Sequence, residues 1–563
     1  MKKIDISRKR ILFIVVFLAI FIIGSVLILI VPFGVKSTYG QTVQTSDGIS
    51  IAFNVFEPNR GGTNKKAIIL GHGVMSNKEM LKDFAVEFAT AGFVAVPFDF
   101  RGHGQSTGEL RWGSLTNDID AIVSYLNSRS DIDSSNLSYF GYSMGGVGLE
   151  VVNDSTDFKC FIGAGTRLPT DVRKGNSTNP LNILMILGRY DELIRPYDLK
   201  VGLADYTGIP IADISVNKLY GSFEEGNAAK IYLDDLTNHV LGDWDPDFIM
   251  EAREFLSSAF PDVIPVDENF VVNTRLLILA LQLFGGFGFF ILLIDPLSKL
   301  ILKSEDEREI FKLNLEDQSL VIIGAKSITY SLVIGIIGII IFVPILLVLF
   351  LAIAGFVSAL LFGQAFGIFV LLWRMGRKGN KKLIEILKEP FKGSRGNLSR
   401  QFILGGILAV ILTVIIYLSG GLNYIGMIPS LVKIPWVPLF FLINFIIFLI
   451  YGIFFHGILQ NKIGEGIKPL VKLSLLLFVI QFIYWFSYLF AIGFIMRSFF
   501  YFGSFLPFSF PLFLLNSFLS PLIYKKSKNV IAGALVNTLF FTLLICTISP
   551  YQSGLSFLIG FLF

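Results

Sequence analysis

The sequence is poor in cysteine, in histidine and in net charge. It has two cysteines, Cys160 beside one apolar run and Cys546 inside another, which give no basis for a disulfide framework and make redox chemistry unexpected. The formal charge of +4 over 563 residues is too small to suggest nucleic-acid binding. Apolar residues instead make up 53% of the chain and include 56 Phe, so much of the chain is expected to lie in lipid.

The first long apolar run lies near the N-terminus and extends without a charge from Ile11 to Val31. Five basic residues precede it: Lys2, Lys3, Arg8, Lys9 and Arg10. About 20 apolar residues are enough to cross a bilayer. A cleaved signal peptide is the alternative, but its apolar core is usually ~7–15 residues long and ends at small residues, unlike Ile30-Val31-Pro32-Phe33. Residues 1–34 are therefore predicted to form a signal-anchor helix with a cytoplasmic N-terminus, which sends the following chain to the outer face.

Residues 35–266 contain no run that could cross a membrane, and their pattern is that of a water-soluble α/β domain. Short strand-like segments alternate there with helical patterns. The predicted strands cover residues 49–55, 67–70, 93–97, 137–140, 161–164, 181–187 and 229–233, and the predicted helices cover residues 78–90 and 115–126. This order predicts a mostly parallel sheet with helices on both faces and with catalytic groups at the carboxyl ends of the strands.

Long apolar runs return after residue 266 and continue to the C-terminus. They cover approximately residues 272–294, 328–350, 352–373, 402–418, 438–459, 473–494, 504–523 and 529–548. Residues 267–563 are therefore predicted to form an all-α, multi-pass membrane domain of about eight transmembrane helices. Lys and Arg concentrate in the connecting segments 374–400, 462–472 and 525–528. These segments and the mixed segment 296–318 are predicted to be cytoplasmic, in agreement with the orientation of the N-terminal anchor.

A glycine-flanked serine lies in the middle of the α/β stretch. Ser143 stands in Gly141-Tyr142-Ser143-Met144-Gly145-Gly146, after the strand-like residues 137–140 and before a helical pattern at residues 147–152. A strand, a sharp turn and a helix are the context of a nucleophile elbow, in which the serine backbone is strained. Glycines are required where such a turn brings neighbouring backbone segments close together. Alone, however, a string of this kind arises often by chance.

A serine hydroxyl needs a base and an acid before it can act as a nucleophile. The sequence offers four histidines. His72 and His103 precede the serine and are each followed by glycine, which indicates side chains that brace loops. His456 lies in an apolar run, so His239 is the predicted base.

The acid should follow a strand and precede the base in the chain. Residues 184–187 lead into Gly188-Arg189-Tyr190-Asp191-Glu192, so Asp191 is the predicted acid. The adjacent Glu192 and Asp171, which follows the preceding strand, stay open as alternatives. The chain order of serine, acid and histidine differs from the orders in the chymotrypsin and subtilisin folds.

Four motifs carry a resemblance to a known family. They are Gly71-His72-Gly73-Val74, Asp99-Phe100-Arg101-Gly102-His103-Gly104-Gln105-Ser106, the elbow Gly141–Gly146, and Gly188-Arg189-Tyr190-Asp191 with His239 behind it. With these motifs, residues 35–266 resemble the α/β-hydrolase superfamily, in the branch of serine esterases, lipases and serine peptidases without a large cap. The resemblance implies a triad of Ser143, Asp191 and His239, and an oxyanion hole formed by the backbone amides of Val74 and Met144. It also implies a structural role for the loop that contains His103.

The apolar half of the chain has no Asp or Glu at the middle of a predicted span, and Lys326 and Arg497 lie near span ends. Ion-coupled transporters usually need such buried ionisable groups, so their absence weighs against one. Polar residues do occur within the spans: Gln364, Asn444, His456, Gln481, Asn516 and Asn537. We expect them to make hydrogen bonds between helices, and Gly363-x-x-x-Gly367 to permit close helix contact.

Together these features predict a membrane-integral serine hydrolase that cleaves an ester, lipid esters included, on the extracytoplasmic face of the cell membrane. A serine peptidase of the same fold is one alternative, and a transporter or channel with an attached hydrolase domain is another. The chemistry needs neither a metal nor an organic cofactor, and the expected partners are a small ester, lipid or peptide substrate and the bilayer, with the oligomeric state left open.

About thirty residues separate the elbow helix from the strand at Leu181, which leaves no room for a sizeable lid. The site is therefore expected to be open or to be covered by another part of the molecule.

Overall fold

In the part of the chain that the structure describes, nine β-strands form one sheet. The computed structural model describes residues 7–302, 310–315, 318–392, 395–464, 466–556 and 559. The strands are β1 Val35–Gln44, β2 Ser50–Pro58, β3 Lys65–Gly71, β4 Val94–Phe98, β5 Ile132–Tyr142, β6 Phe158–Ala164, β7 Asn182–Tyr190, β8 Leu219–Tyr220 and β9 Ala229–Asn238. They lie in the order β1-β2-β4-β3-β5-β6-β7-β9-β8. The strands from β4 to β9 in this order pair in parallel, and β1, β2 and β8 add antiparallel at the edges, so the predicted mostly parallel sheet is confirmed.

Helices cover both faces of this sheet, as the α/β pattern predicted. The first six helices are α1 Arg8–Ile30, α2 Lys82–Thr90, α3 Leu115–Asn127, α4 Gly148–Asp154, α5 Pro196–Thr207 and α6 Pro246–Ala259. Ile119 of α3, Val152 of α4 and Leu199 of α5 belong to the apolar core on one face. Phe84 of α2 and Phe248 of α6 belong to the core on the other face.

The helix predicted from residue 78 begins four residues later, at Lys82. The backbone N–H of Lys78 donates to Oδ1 of Asp99 at 2.8 Å, and the Nζ of Lys78 lies 2.7 Å from Oδ2 of the same carboxylate. Both side chains are completely buried. Residues 78–81 are thus held in a turn by an acid of the loop after β4, a contact that hydrophobic periodicity does not reveal.

Nine helices of the described residues are long and apolar enough to cross a membrane, and α1 is the first of them. The remaining helices are α7 Val272–Ile301, α8 Leu320–Val348, α9 Ala352–Lys378, α10 Leu383–Lys388, α11 Arg395–Ile416, α12 Val437–Phe454, α13 Ile467–Ile495, α14 Phe500–Ser527 and α15 Ile531–Ile548. The short α10 is not among the nine. Turns of π-helix at Tyr417–Ile425 and Phe455–Leu459 extend α11 and α12. One of the nine lies near the N-terminus and eight follow residue 266, which is the number of long apolar helices expected from the sequence.

The sheet domain packs on one end of the apolar helices. The Nδ2 of Asn77 donates to the carbonyl oxygen of Ile425, after α11, at 2.6 Å. The backbone N–H of Tyr551, after α15, donates to the carbonyl oxygen of Gly102 at 2.7 Å. The segments that join α11 to α12 and that follow α15 therefore lie at the end of the helices that carries the sheet.

Basic residues gather at the opposite end of the helices. Asp295 is buried on α7 and pairs there with Arg10 of α1 and with Lys526 of α14, whose Nζ lies 2.9 Å from Oδ1 of the acid. α7 extends past residue 294, where the predicted span ended, and so contains this acid near its final turns. Because α1 begins and α7 and α14 end at this position, the described residues of the segments 296–318 and 525–528, which are predicted to be cytoplasmic, lie at the end of Arg10, away from the sheet.

Glycines allow two of the apolar helices to pack closely. A Cβ on Gly363 of α9 would lie 2.8 Å from the carbonyl oxygen of Gly335 on α8. One on Gly367 would lie 2.5 Å from the carbonyl oxygen of Tyr330. Real Cβ atoms do not come this near to backbone, so only glycine permits the observed spacing. The close helix contact predicted from the Gly-x-x-x-Gly pattern is confirmed.

Several polar residues of the spans form the expected hydrogen bonds between helices. The Nδ2 of Asn516 on α14 donates to the Oε1 of Gln481 on α13 at 2.9 Å, and the Nδ2 of Asn537 on α15 donates to the Oδ1 of Asn516 at 2.6 Å. The Nδ2 of Asn444 on α12 donates to the Oγ1 of Thr542 on α15 at 3.1 Å. These amides therefore link four of the apolar helices.

Candidate active site

The carboxyl end of β5 carries the strained turn that the elbow motif predicts. β5 ends at Tyr142, and the chain turns at once into a short 3-10 helix, Ser143–Val147, that leads into α4. Ser143 has a φ of 48°, in the left-handed region that side chains adopt only under strain. A Cβ on Gly141 would lie 2.5 Å from the carbonyl oxygen of Gly145, so glycine is required there. The turn places the serine at the carboxyl edge of the sheet.

The structure brings the three residues predicted as a triad into one chain of contacts. Ser143 Oγ lies 2.8 Å from Nε2 of His239, and Nδ1 of the same ring lies 2.7 Å from Oδ2 of Asp191. Asp191 follows β7 and His239 follows β9, which are neighbouring parallel strands. Their side chains are 2% and 4% exposed. In this arrangement Nε2 can accept the serine proton while the carboxylate orients the imidazole.

The carboxylate of Asp191 is itself held by the backbone. Its Oδ1 accepts hydrogen bonds from the backbone N–H groups of Leu193 and Ile194, each at 2.8 Å. This leaves Oδ2 directed at the imidazole.

The two alternative acids occupy other positions. Glu192 does not contact the imidazole; its Oε2 accepts a hydrogen bond from the backbone N–H of His239 at 3.3 Å. Burial raises the pKa of the Glu192 carboxyl. Asp171 is exposed on the loop after β6, and its backbone N–H donates to Oδ2 of Asp205 at 2.9 Å. Of the three acids, Asp191 is the one in contact with the ring.

His72 and His103 brace the loop beside the serine, as their positions in the sequence predicted. Nε2 of His72 accepts a hydrogen bond from the backbone N–H of Phe100 at 3.1 Å, so Nδ1 carries the proton and donates to the carbonyl oxygen of Gly73 at 2.7 Å. Nε2 of His103 lies 2.7 Å from the carbonyl oxygen of Val74. Complete burial lowers the pKa of His72 to about 4 and that of His103 to about 3, so both rings are neutral at pH 7.

The residues proposed from the resemblance to supply the oxyanion amides lie next to Ser143. Met144 is the second residue of the 3-10 helix, so its N–H has no helical carbonyl to bind. Val74 lines the same cavity as Ser143. A Cβ on the adjacent Gly73 would lie 3.3 Å from the Cβ of Ser143, which shows how closely this loop approaches the serine.

An apolar helix forms one wall of a small cavity beside the serine. The cavity has a volume of about 40 Å³, and Phe500, Ser504 and Phe508 of α14 line it together with Ser143 and His239. The ring of Phe500 packs edge to face against the imidazole of His239, with centroids 5.6 Å apart. The sequence left an open site and a covered one as alternatives; the structure has a site that α14 covers in part, with Ser143 half-buried. The covering residues carry no sequence signal, because they belong to one apolar run among many.

Asp243 is a further residue of this cavity that the sequence analysis missed. It lies four residues after His239, and its side chain is 4% exposed. Its Oδ2 accepts a hydrogen bond from the Oγ of Ser76 at 3.3 Å. Burial raises the pKa of the Asp243 carboxyl to about 7. The nearness of an acid to the predicted base was the one signal available in the sequence.

Three other acids lie close enough together to share a metal ion. Among the described residues, the ligand atoms of Asp234, Asp245 and Asp247 lie within 4.8 Å of one another. Oδ1 of Asp234 accepts from the backbone N–H of Thr237 at 2.8 Å, and Oδ1 of Asp245 accepts from the N–H of Asp247 at 2.9 Å. These oxygens therefore bind backbone N–H groups in the last residues of β9 and at the start of α6, and the contacts of Ser143 do not involve them.

The sheet order, the elbow and the contacts of Ser143 define an α/β hydrolase. Residues 62–185 match the family model described as serine aminopeptidase, S33. The matched segment contains the elbow serine and ends shortly before Asp191. This part of the chain therefore has the α/β-hydrolase fold, and it is joined to a large region of apolar helices.

Curated relatives match part of the chain. It is 31% identical over 112 residues to an uncharacterised protein of Mycobacterium tuberculosis strain H37Rv, which is 19% of this chain and 40% of that protein. It is 35% identical over 105 residues to an uncharacterised 31.7 kDa protein of Escherichia coli, 18% of this chain and 36% of that protein. A polyketide transferase of Penicillium crustosum is 29% identical over 106 residues, 18% of this chain and 34% of that protein. The chain thus spans two fifths or less of the length of these relatives.

Among solved structures, an esterase of Pyrococcus furiosus, Pf2001, is 16% identical to the chain, with a TM-score of 0.32. The match covers 40% of this chain and 94% of the esterase. An esterase of Exiguobacterium antarcticum is 14% identical, with a TM-score of 0.29, and the match covers 39% of this chain and 98% of that one.

Proposed function

We propose that this protein is a membrane-integral serine hydrolase that cleaves carboxylic esters through an acyl-enzyme. The observation that carries the proposal is the chain of contacts from Ser143 through His239 to Asp191 at a strained elbow. A hydroxyl in contact with a buried imidazole, whose other nitrogen faces a fixed carboxylate, is the arrangement that makes serine nucleophilic.

Each residue has one role in the proposed reaction. Ser143 Oγ attacks the ester carbonyl carbon while Nε2 of His239 takes its proton, and the amides of Val74 and Met144 stabilise the resulting oxyanion. The carbon–oxygen bond to the alcohol then breaks, and the imidazolium gives its proton to the departing alcohol. A water molecule then attacks the acyl-enzyme carbonyl while His239 takes its proton. The bond to Ser143 breaks, the acid is released and the serine hydroxyl is restored. Asp191 stabilises the imidazolium in both halves.

We place the hydrolase domain on the extracytoplasmic face of the cell membrane. The support is the charge distribution: the basic segments lie at the end of the apolar helices that carries Arg10, and the sheet lies at the other end. Short basic segments tend to stay on the cytoplasmic side. The lipid bilayer is then a permanent partner, and a substrate can come from it or from the outer aqueous phase.

A serine peptidase is the second candidate, because the matched family model is described as serine aminopeptidase. The same residues would act, and an amine would leave in place of an alcohol. Hydrolysis of peptide amides with higher kcat/KM than that of any matched ester would favour this candidate.

Reaction with a fluorophosphonate tests the proposed nucleophile. The purified full-length protein should react covalently at Ser143 and lose its esterase activity in step. The Ser143→Ala variant should neither react nor hydrolyse short esters, whereas Ser138→Ala, which changes a buried serine of β5, should keep both properties. Undiminished labelling of Ser143→Ala would show that the nucleophile is another residue.

A further inference from the structure

Two buried polar atoms that the serine chemistry does not use belong to residues that line the cavity beside Ser143. Oδ1 of Asp243 and Oγ of Ser504 have no hydrogen-bond partner among the described residues. Asp243 is 4% exposed and Ser504 is 0% exposed, and both residues line the cavity. Native proteins rarely leave buried polar atoms unsatisfied. Unsatisfied polar atoms of residues that line a cavity next to a nucleophile therefore indicate a partner outside the chain.

The two atoms come from different domains. Asp243 belongs to the 3-10 helix Leu241–Trp244 that follows His239, and Ser504 lies near the start of α14. The Nε1 of Trp244 donates to the carbonyl oxygen of Tyr424 at 2.9 Å, which holds the segment of Asp243 against the apolar helices. The cavity is therefore complete only when the hydrolase domain and the membrane domain are assembled.

Asp243 and Ser504, which we call the polar corner of the cavity, suit a ligand group that donates hydrogen bonds. Oδ2 of Asp243 already accepts a hydrogen bond from the Ser76 hydroxyl. Among the described residues, no Lys or Arg contributes an electrostatic interaction to this carboxyl. Oδ1 can therefore accept a hydrogen bond from a ligand, and the Ser504 hydroxyl can accept or donate one. A hydroxyl and a primary ammonium both supply the required donor.

The size and the other walls of the cavity restrict the ligand further. Its volume of about 40 Å³ compares with ~10–15 Å³ for a single water, so it holds a group of a few heavy atoms. The walls beside the polar corner are apolar and include Met75, Met80, Phe500 and Phe508. A short apolar linker that ends in one donor group matches this lining.

We infer that Asp243 and Ser504 form a substrate subsite that binds a hydroxyl or ammonium group carried a few atoms from the scissile ester. This inference rests on the proposed hydrolase function of Ser143 and names the substrate class: esters with a polar hydrogen-bond donor near the reacting carbonyl. It also gives the membrane domain a part in substrate recognition, through Ser504.

Two sets of esters matched in length test the subsite. Butyl, 3-hydroxypropyl and 3-ammoniopropyl butyrate carry the end group on the alcohol side. Ethyl hexanoate, ethyl 5-hydroxypentanoate and ethyl 5-ammoniopentanoate carry it on the acyl side. In at least one set, the full-length enzyme should hydrolyse a donor-bearing ester with kcat/KM at least tenfold above that of its methyl-ended counterpart.

Variants of Asp243 and Ser504 test whether these residues cause the preference for donor-bearing esters. Asp243→Leu should abolish it while the methyl-ended ester is still hydrolysed, and Ser504→Ala should lower it severalfold. Asp243→Asn keeps an acceptor oxygen without the charge, so it should retain a preference for hydroxyl and lose one for ammonium. Asp213→Asn changes an exposed acid and serves as the matched control, whose substrate ratios should equal those of the wild type. Fluorophosphonate labelling of Ser143 verifies that each variant is folded.

Three results would overturn the inference. One is equal kcat/KM for all members of both sets in the wild-type enzyme. Another is an Asp243→Leu variant that slows the three esters of each set by the same factor, which would make the residue merely structural. Complete absence of Ser143-dependent ester hydrolysis would instead refute the proposed function, and this inference with it.

Discussion

The guanidinium of Arg275, in the first turn of α7, donates from its Nε to Oδ1 of Asp83 on α2 at 2.7 Å. Their side chains are 2% and 1% exposed, so the ion pair is sealed between the apolar helices and the hydrolase domain. A second buried acid of α2, Glu87, accepts from the backbone N–H groups of Val271 and Val272 at 2.7 and 2.8 Å. One helix of the hydrolase domain thus holds the start of α7 by charge and by hydrogen bonds.

Breaking this ion pair should destabilise the protein. Arg275→Met and Asp83→Leu each leave one buried charge without its partner, which typically costs about 3–5 kcal/mol of unfolding free energy. The double variant leaves neither charge, so it should lose less than the sum of the two single changes. Thermal unfolding of the three variants in the same detergent measures this coupling.

An exposed pair provides the control for that experiment. Arg195 and Asp198 also form an ion pair, but solvent reaches both partners, and Arg195→Ala should change the unfolding temperature little. Additive effects of the Arg275 and Asp83 changes would mean that the two charges do not stabilise each other.

The identity of the acid gives a second prediction. Asp191→Asn should lower kcat for short esters by about 10³–10⁴-fold, because an amide in place of the carboxylate cannot stabilise the imidazolium. Asp171→Asn should have nearly wild-type kcat, since its side chain does not contact His239. Glu192→Gln should lower kcat only slightly, because Glu192 accepts a hydrogen bond from the backbone N–H of His239. Steady-state kinetics on one ester compare all three variants, and a wild-type kcat in Asp191→Asn would exclude this residue as the acid.

The fold and the contacts of the serine could largely be predicted because they depend on local patterns. The parallel order of the strands follows from alternating apolar segments, and the elbow is a six-residue motif. The predicted acid and base each come directly after a strand, and the ends of neighbouring parallel strands meet at one edge of a sheet. Hence Ser143, Asp191 and His239 could be placed together without a structure.

The remaining parts of the site depend on contacts between the domains, which no local pattern encodes. Phe500 and Ser504 belong to an apolar run that resembles the other runs, and only the packing of α14 on the hydrolase domain brings them to the cavity. From the sequence alone, Asp243 is an acid in a loop. Only the structure shows that Trp244 anchors the segment of Asp243 to the carbonyl oxygen of Tyr424. In the sequence, Arg275 is likewise a single charge near the start of an apolar run. Its partner Asp83 lies on the hydrolase domain, so the sequence does not show the ion pair.

The buried carboxyl of Asp243 predicts a pH-dependent loss of stability. Burial raises its pKa from 3.8 to about 7, so the folded protein holds this proton over a range in which the unfolded chain has released it. Folding is therefore penalised increasingly as the pH rises from about 4 to about 7, at about 1.4 kcal/mol per pH unit. Asp243→Asn removes the titrating group. Its stability relative to the wild type should accordingly be greater at pH 8 than at pH 5, by roughly 3 kcal/mol.

Thermal unfolding of both proteins at pH 5 and pH 8 measures this difference. His72 and His103 have lowered pKa values and contribute in the opposite direction, since acidification below pH 6.5 favours the unfolded chain, which binds their protons. This contribution is common to both proteins and cancels in the comparison. Asp213→Asn, at an exposed position, should show no such pH dependence relative to the wild type. A constant difference between Asp243→Asn and the wild type across this range would mean that Asp243 does not titrate there.

The scarcity of cysteine makes the orientation in the membrane testable by chemical labelling. Both native cysteines, Cys160 and Cys546, are buried, so a maleimide that cannot cross membranes should react little with the wild-type protein in intact cells. Ser128→Cys, at the exposed end of α3, should be labelled in intact cells because we place the hydrolase domain outside. Lys381→Cys, exposed between α9 and α10, should be labelled only after the membrane is permeabilised, because its basic segment is assigned to the cytoplasm. The reverse pattern would put Ser143 in the cytoplasm and would confine its substrates to those available there.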